Sequence, residues 1–296
     1  MKNIQEIEKQ YIIKIPDSRI MSWNIQIEMW KVFDEICRRH NLKYYIMFGA
    51  LLGAVRHKGF IPWDDDIDVV MMREDYDRLT QYVDEFSFPY FLQTPGNSGS
   101  SDYSNLLLID ERTSCIDKKI ISNEQRQGMK LDIVPLDLLP ENRIIFTIKK
   151  IIFTLIRSTV YVSVCDSKKF KFMGRVMSCI SKVLYHIVDR KKMPFVLEKY
   201  RKSLTKKNSE IIGEIGHGFR FRKKDFDKIV FLDFEEYKMP APIGYQNILS
   251  ELYGDYMLPP KIDNRQQSAY ENENYFSSPY VSYRDYTKNG DKHEKR

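Results

Sequence analysis

The stretch IPWDDDIDVVMM, residues 61–72, sets four carboxylates in five positions directly before the apolar run Val69 to Met72, which reads as the buried part of a β-strand. On a strand, alternate side chains share a face, so the spacing puts Asp64, Asp66 and Asp68 together, with Asp65 and Ile67 turned away. Three acids on one face of a low-dielectric sheet repel one another unless a cation lies between them. Oxygen-rich sites of this kind suit a hard divalent ion. The fold must therefore be one in which a sheet presents acids to a common point.

A chain of 296 residues, 43% hydrophobic and 13% aromatic, can bury a core of one large domain or two smaller ones. Cys37, Cys115, Cys165 and Cys179 are scattered, without C-x-x-C or Cys/His spacing, so neither zinc nor a disulfide framework is indicated. The N-terminus MKNIQEIEKQ lacks a signal-peptide pattern, and no run of 18 uncharged apolar residues occurs. A reducing cytoplasm is the expected compartment. Charge is unevenly spread. From Glu141 to Lys207 there are 17 Lys and Arg against four acids, a net +13 that leaves −7 for the rest of a chain whose total is +6. A basic middle segment points to an anionic surface or polymer as neighbour.

Along the chain, residues 23–40 have the apolar spacing of an amphipathic helix, with Asn41 placed to end it. The run 43–48 reads as a strand, followed by a turn at Gly49 and a helix over 50–56. Strand, glycine turn and helix together can aim backbone N–H groups at a phosphate. An acidic strand over 64–72 and a helix over 73–86 follow, then a loop at 95–102 and two strand candidates, 102–110 and 128–140. The second carries Asp132 in an apolar setting and should stop at Pro135. Residues 143–190 are helical in pattern, with a polar stripe of Thr147, Lys150, Thr154, Arg157 and Ser158 beside a broad apolar face; packing on the domain and lying in a membrane interface both fit. Residues 211–260 return to mixed structure, with turns at Gly213, Gly216, Gly218 and Gly254. The tail from Lys261 is polar, and its last ten residues are expected to be disordered.

A glycine turn opening a helix, an adjacent strand with paired acids and a later strand with a third acid are the parts of a metal-dependent phosphoryl- or nucleotidyl-transfer site. The segment FGALLGAVRHKGFIPWDDDIDVVMMREDYDRL, residues 48–79, resembles the signature of the LicD phosphotransferases, which include fukutin-like proteins; GMKLDIVPLD at 128–137 and LYGDYMLPP at 252–260 look like further family elements. The resemblance implies a nucleotidyltransferase-like α/β (α+β) fold, a mixed sheet flanked by helices. Pattern and charge divide the chain into a nucleotidyltransferase-like core over 20–140, a basic helical region over 141–210 for which peripheral membrane contact through 143–192 is one expectation, the C-terminal part of the catalytic domain over 211–260, and a polar tail over 261–296. The resemblance also implies Asp66, Asp68 and Asp132 as ligands of Mg²⁺, two ions with Mn²⁺ as substitute, and Asp64 as the first acid of the motif. Gly49 and Ala50 then fall at the phosphate turn, and Arg56 and Lys58 near a diphosphate. The implied partners are a CDP-activated donor and a cell-surface glycan, teichoic acid or lipopolysaccharide, or its lipid-linked precursor, with CMP released and no nucleic acid expected.

Several positions keep two readings. Trp63 can stack on a base or close the core, and Asp137 competes with Asp132 as third acid. His57 is expected to contact loop backbone or solvent. Tyr253 and Tyr256 fit an aromatic cage for a quaternary ammonium as well as a packing role. The general base is Asp132 or Asp64. Two other function classes remain: a nucleotidyltransferase acting on a small molecule, and a non-catalytic protein binding membrane or nucleic acid through its basic middle.

Overall fold

The computed structural model describes residues 4–11, 13–97, 105–119, 126–165, 172–187, 189, 192–205, 208–261 and 275–285. Its first third runs α1 (Ile4–Tyr11), α2 (Asp17–Arg39), β1 (Tyr45–Met47), α3 (Phe48–Arg56), β2 (Asp68–Met72), α4 (Arg73–Leu79) and β3 (Tyr90–Gln93). Next come β4 (Leu106–Asp110), β5 (Ser114–Asp117) and the long β6 (Met129–Leu138), then three helices, α5 (Arg143–Val164), α6 (Phe172–Ile187) and α7 (Met193–Ser203). The chain ends with β7 (Ile211–Glu214), β8 (Phe219–Arg222), the hairpin β9 (Ile229–Phe234) and β10 (Tyr237–Pro242), α8 (Tyr245–Tyr253) and β11 (Tyr275–Ser278).

The central sheet is mixed, as the sequence leads one to expect. Its strands run in the order β1-β2-β6-β4-β3, with β7 joined to the far end of β6 and β8 to β7. Only β2 and β6 are parallel; the other neighbours are antiparallel. Helix α2 packs on β4 and β6, and α4 on β2 and β6. The buried stripe Trp23, Met29, Trp30, Phe33 and Ile36 explains why α2 forms there: each side chain contributes about 2 kcal/mol of apolar burial. A smaller satellite core of Phe146, Phe153, Val160, Met193 and Leu197 seats α5 and α7.

Some sequence expectations need correction. Strand β2 starts at Asp68, so residues 64–67 are irregular backbone and the alternation over 64–72 does not hold there. The helix over 73–86 breaks after Leu79 into a 3₁₀ segment, Thr80–Glu85. Pro135 does not stop β6. It lies between the part of β6 paired with β4, ending at Ile133, and the part paired with β7, starting at Asp137, so no antiparallel partner needs its missing N–H. Gly213 sits within β7 rather than in a turn. In the polar tail, Tyr275–Ser278 pairs antiparallel with β5, which a composition argument had no means of finding. The expectation of disorder for the last ten residues lies outside the described residues.

Candidate active site

The site begins where β1 passes into α3. Met47, last residue of β1, pairs with Asp68, first residue of β2, so the start of α3 lies beside the acidic segment. The left-handed conformation at this junction belongs to Phe48 (φ 50°), not to Gly49, and the helix starts at Phe48 rather than at Ala50. Gly49 is needed for a different reason. A Cβ there would fall inside contact distance of the Asp64 carboxylate, so the missing side chain is what lets Asp64 lie against the helix start. Ala50 is buried behind it.

Across the sheet, Asp68 and Asp132 stand opposite each other on the parallel pair β2 and β6. In-register neighbours on adjacent strands point to the same face. Lys130, two residues earlier on β6, shares that face, and its ammonium lies 3.6 Å from the Asp132 carboxylate. Asp66 feels the charge of Asp68, Asp64, Asp65 and Asp132, which brings the irregular segment and both strands to one place. Among the described residues, the oxygens of Asp64, Asp65 and Asp66 come within 4.8 Å of one another. Asp65 is therefore not turned away from its neighbours as strict alternation required, because no strand exists at that point to impose alternation.

The carboxylates are recessed, walled in by protein yet still reached by water. Burial, then Asp68 and the other acids, pushes Asp66 well above the ordinary carboxylate range; burial, then Asp132 and Asp64, does the same to Asp68, with Lys130 opposing. Asp64 is pushed up to about 6, by burial first and then by Asp65. Carboxylates that destabilise one another to this degree, with hard oxygen donors and few protein cations, fit a divalent metal ion.

Supporting contacts hold the acidic segment from α2. The indole of Trp23 donates to the Asp64 carbonyl at 2.7 Å, and Arg19 donates to the carbonyl of Pro62. Gln26, fully buried, accepts from the Ile67 N–H at 3.3 Å and donates to the Lys130 carbonyl at 2.9 Å, so one amide spans both acid-bearing pieces. Neither Gln26 nor Lys130 emerged from sequence reasoning. Lys130 could have, since it sits two residues from Asp132 on a strand. Asp137, the rival third acid, is fully buried and engaged by the Arg73 guanidinium through two bonds of 2.7 Å.

Arg56, at the end of α3, donates to the Tyr256 carbonyl at 2.8 Å and to the His57 ring at 2.8 Å, and its guanidinium lies 5.8 Å from the Trp63 ring centre. Trp63 and His57 also pack against Tyr11 of α1. His57 is buried in this cluster rather than facing solvent. Tyr253, at the end of α8, has its phenol raised well above the usual range by burial and by Asp64, Asp68 and Asp66, which puts the hydroxyl within their electrostatic reach. Lys58 goes elsewhere: its carbonyl receives the Glu235 N–H and its charge acts on Asp233 of β9. The lysine found among the acids is Lys130.

A cleft of about 710 Å³, lined by Arg143, Phe219, Arg220, Arg222, Glu210 and Glu251 among others, adjoins this region. The Phe219 ring packs 4.8 Å from that of Phe48, the residue before Gly49, and Glu251 and Leu252 directly precede Tyr253.

Comparison with known proteins bears on this arrangement. Residues 41–142 match the family model described as LicD/FKTN/FKRP, nucleotidyltransferase domain. Residues 41–142 thus carry the LicD-type nucleotidyltransferase domain. The matched span contains Gly49, Asp64, Asp66, Asp68, Lys130 and Asp132, and it ends at Asn142, the residue that caps α5. Thus the LicD domain proper includes the acid cluster, while the three basic helices follow it. The lipopolysaccharide cholinephosphotransferase LicD of Haemophilus influenzae is 27% identical over 256 residues, covering 81% of this chain and 91% of that protein. An uncharacterised protein of Rickettsia prowazekii is 32% identical over 146 residues, 47% of this chain and 51% of its own length.

Proposed function

We propose that this protein is a Mg²⁺-dependent transferase moving a phospho-headgroup, phosphocholine or a polyol phosphate, from a CDP-activated donor to a hydroxyl of a cell-surface glycan or its lipid-linked precursor, releasing CMP. The observation that carries this reading is the in-register meeting of Asp68 and Asp132 beside Asp66 and Asp64 at the start of α3. The name of the Haemophilus relative, which aligns along 91% of its length, supports the choice of headgroup and acceptor class.

Asp66, Asp68 and Asp132 are the residues that would hold Mg²⁺, or Mn²⁺ in its place, and the ion would supply charge neutralisation to the donor's diphosphate. Lys130 adds a fixed positive charge beside Asp132. Arg56, braced by the Tyr256 carbonyl, keeps a guanidinium within range of the same pocket. Asp64, with a pKa of about 6, is mostly ionised at neutral pH and accepts the proton of the acceptor hydroxyl as that oxygen attacks the β-phosphorus. The bond from the β-phosphorus to the bridging oxygen breaks, and CMP leaves with the electron pair.

Incubating the purified protein with a panel of CDP-alcohols and Mg²⁺, and following CMP by chromatography, tests the reading. Release from one donor, absent in Asp66→Ala, is the expected result. Pyrophosphate released from a nucleoside triphosphate, with no CMP from any CDP-alcohol, would move the assignment to nucleotidyl transfer.

A further inference from the structure

Helix α5 has two apolar faces, and packing uses one of them. Phe146, Phe153 and Val160, seven residues apart in turn, are buried in the satellite core. On the opposite side Ile144 is 72% exposed, Ile148 and Ile151 each 54%, and Leu155 53%, with Ile145 and Ile152 alongside. At 1.5 Å per residue this open stripe is about 17 Å long. Helix α6 packs on α5 and repeats the pattern: Ser178 and Ser181 are buried, while Val176, Ile180 and Val183 face outward. Scattered exposed aliphatic residues need no explanation, but a continuous stripe of them does.

Charge indicates what covers it. The charged residues of α5 are Arg143, Lys149, Lys150 and Arg157, and neither α5 nor α6 contains an Asp or Glu. A second copy meeting this face would bring one +13 segment against another. An acidic surface with an apolar layer beneath it satisfies both features. We propose that the outer face of α5, extended by α6, docks on an anionic phospholipid bilayer, with its aliphatic side chains at the headgroup boundary and Lys149, which borders Ile145 and Ile152 at helical spacing, toward lipid phosphates. Among the described residues no helix is long and apolar enough to cross a membrane, so the contact is a surface one. Asn142, which caps α5, follows Leu138 of β6 by four residues, so docking holds the strand bearing Asp132 near the bilayer. The inference does not depend on the transferase reading.

Sedimentation of the full chain with vesicles tests it, comparing phosphatidylcholine alone with the same lipid containing about 30 mol% phosphatidylglycerol. The protein is expected to sediment with the anionic vesicles only. The pair Ile148→Asp with Ile152→Asp is expected to reduce the bound fraction about tenfold or more, and the separate substitution Lys149→Glu about fivefold or more, each with native circular dichroism. CMP release from a soluble CDP-alcohol, measured on the isoleucine pair, is expected to equal the parent's, so failure of docking and failure of the catalytic reading are seen separately. Absence of binding to anionic vesicles, binding that the isoleucine pair leaves intact, or a lipid-free dimer that the same pair dissociates would each overturn the proposal.

Discussion

Asp66 and Asp68 illustrate a conflict that a single side chain can hold between stability and chemistry. Each is forced toward its neutral form by burial and by its neighbours, so at neutral pH the cluster stores repulsion in the metal-free protein. Replacing Asp68 by Asn keeps the shape and removes one like charge. The expected outcome is a melting temperature in EDTA that rises by a few degrees, about 1 kcal/mol, together with loss of CMP release by a factor of about 100 or more. Scanning calorimetry beside the chromatographic assay reads both; an unchanged or lower melting temperature would contradict the repulsion. Gly49 carries the complementary case. In Gly49→Ala the new methyl group must displace the Asp64 carboxylate, so turnover should fall about tenfold or more while overpacking costs about 1–3 kcal/mol of stability, measured by urea unfolding.

The turn joining β7 to β8 shows how an element is held by one acid. Glu214, nearly fully buried at the end of β7, accepts from the Gly216 N–H at 2.7 Å, the His217 N–H at 2.6 Å and the His217 ring at 3.0 Å. Burial alone would raise its pKa; the His217 hydrogen bond and the Arg201 charge outweigh that and lower it to about 2. A carboxylate depressed from an unfolded value near 4.5 adds stability that is complete above that value and disappears as pH falls through about 2. The contribution is of order 3 kcal/mol. In Glu214→Gln, unfolding free energy near neutrality should drop by about that amount, and the loss of stability between pH 4.5 and 2 should be shallower than in the parent, which denaturant titration across that range can check. At this same scale β5 gains β11 as a partner from the distant tail, with Tyr275 opposite Asp117, and so the edge of that strand is covered.

At the scale of the whole molecule, the basic helices are tied to the central sheet by ions as well as by apolar packing. Arg73 of α4 holds Asp137 of β6 through two bonds and also reaches Glu198 of α7, with Lys202 bridging Glu198 and Asp77. Arg73→Met would leave the fully buried Asp137 without its cation, at an expected cost of about 3–5 kcal/mol in a thermal or urea melt. Much of the molecule was legible beforehand from residue order alone. The acid-rich segment, the amphipathic spacing of residues 23–40 and the placing of Asp132 among Leu131, Ile133 and Val134 are local patterns, and local patterns report periodicity and burial directly. Contacts between residues far apart in the chain leave no such imprint. Asp68 meets Asp132 through a parallel register across 64 positions, Gln26 bridges two segments it is remote from, and Lys130 rather than Lys58 stands beside the carboxylates because the pairing of β6 with β2 carries it there.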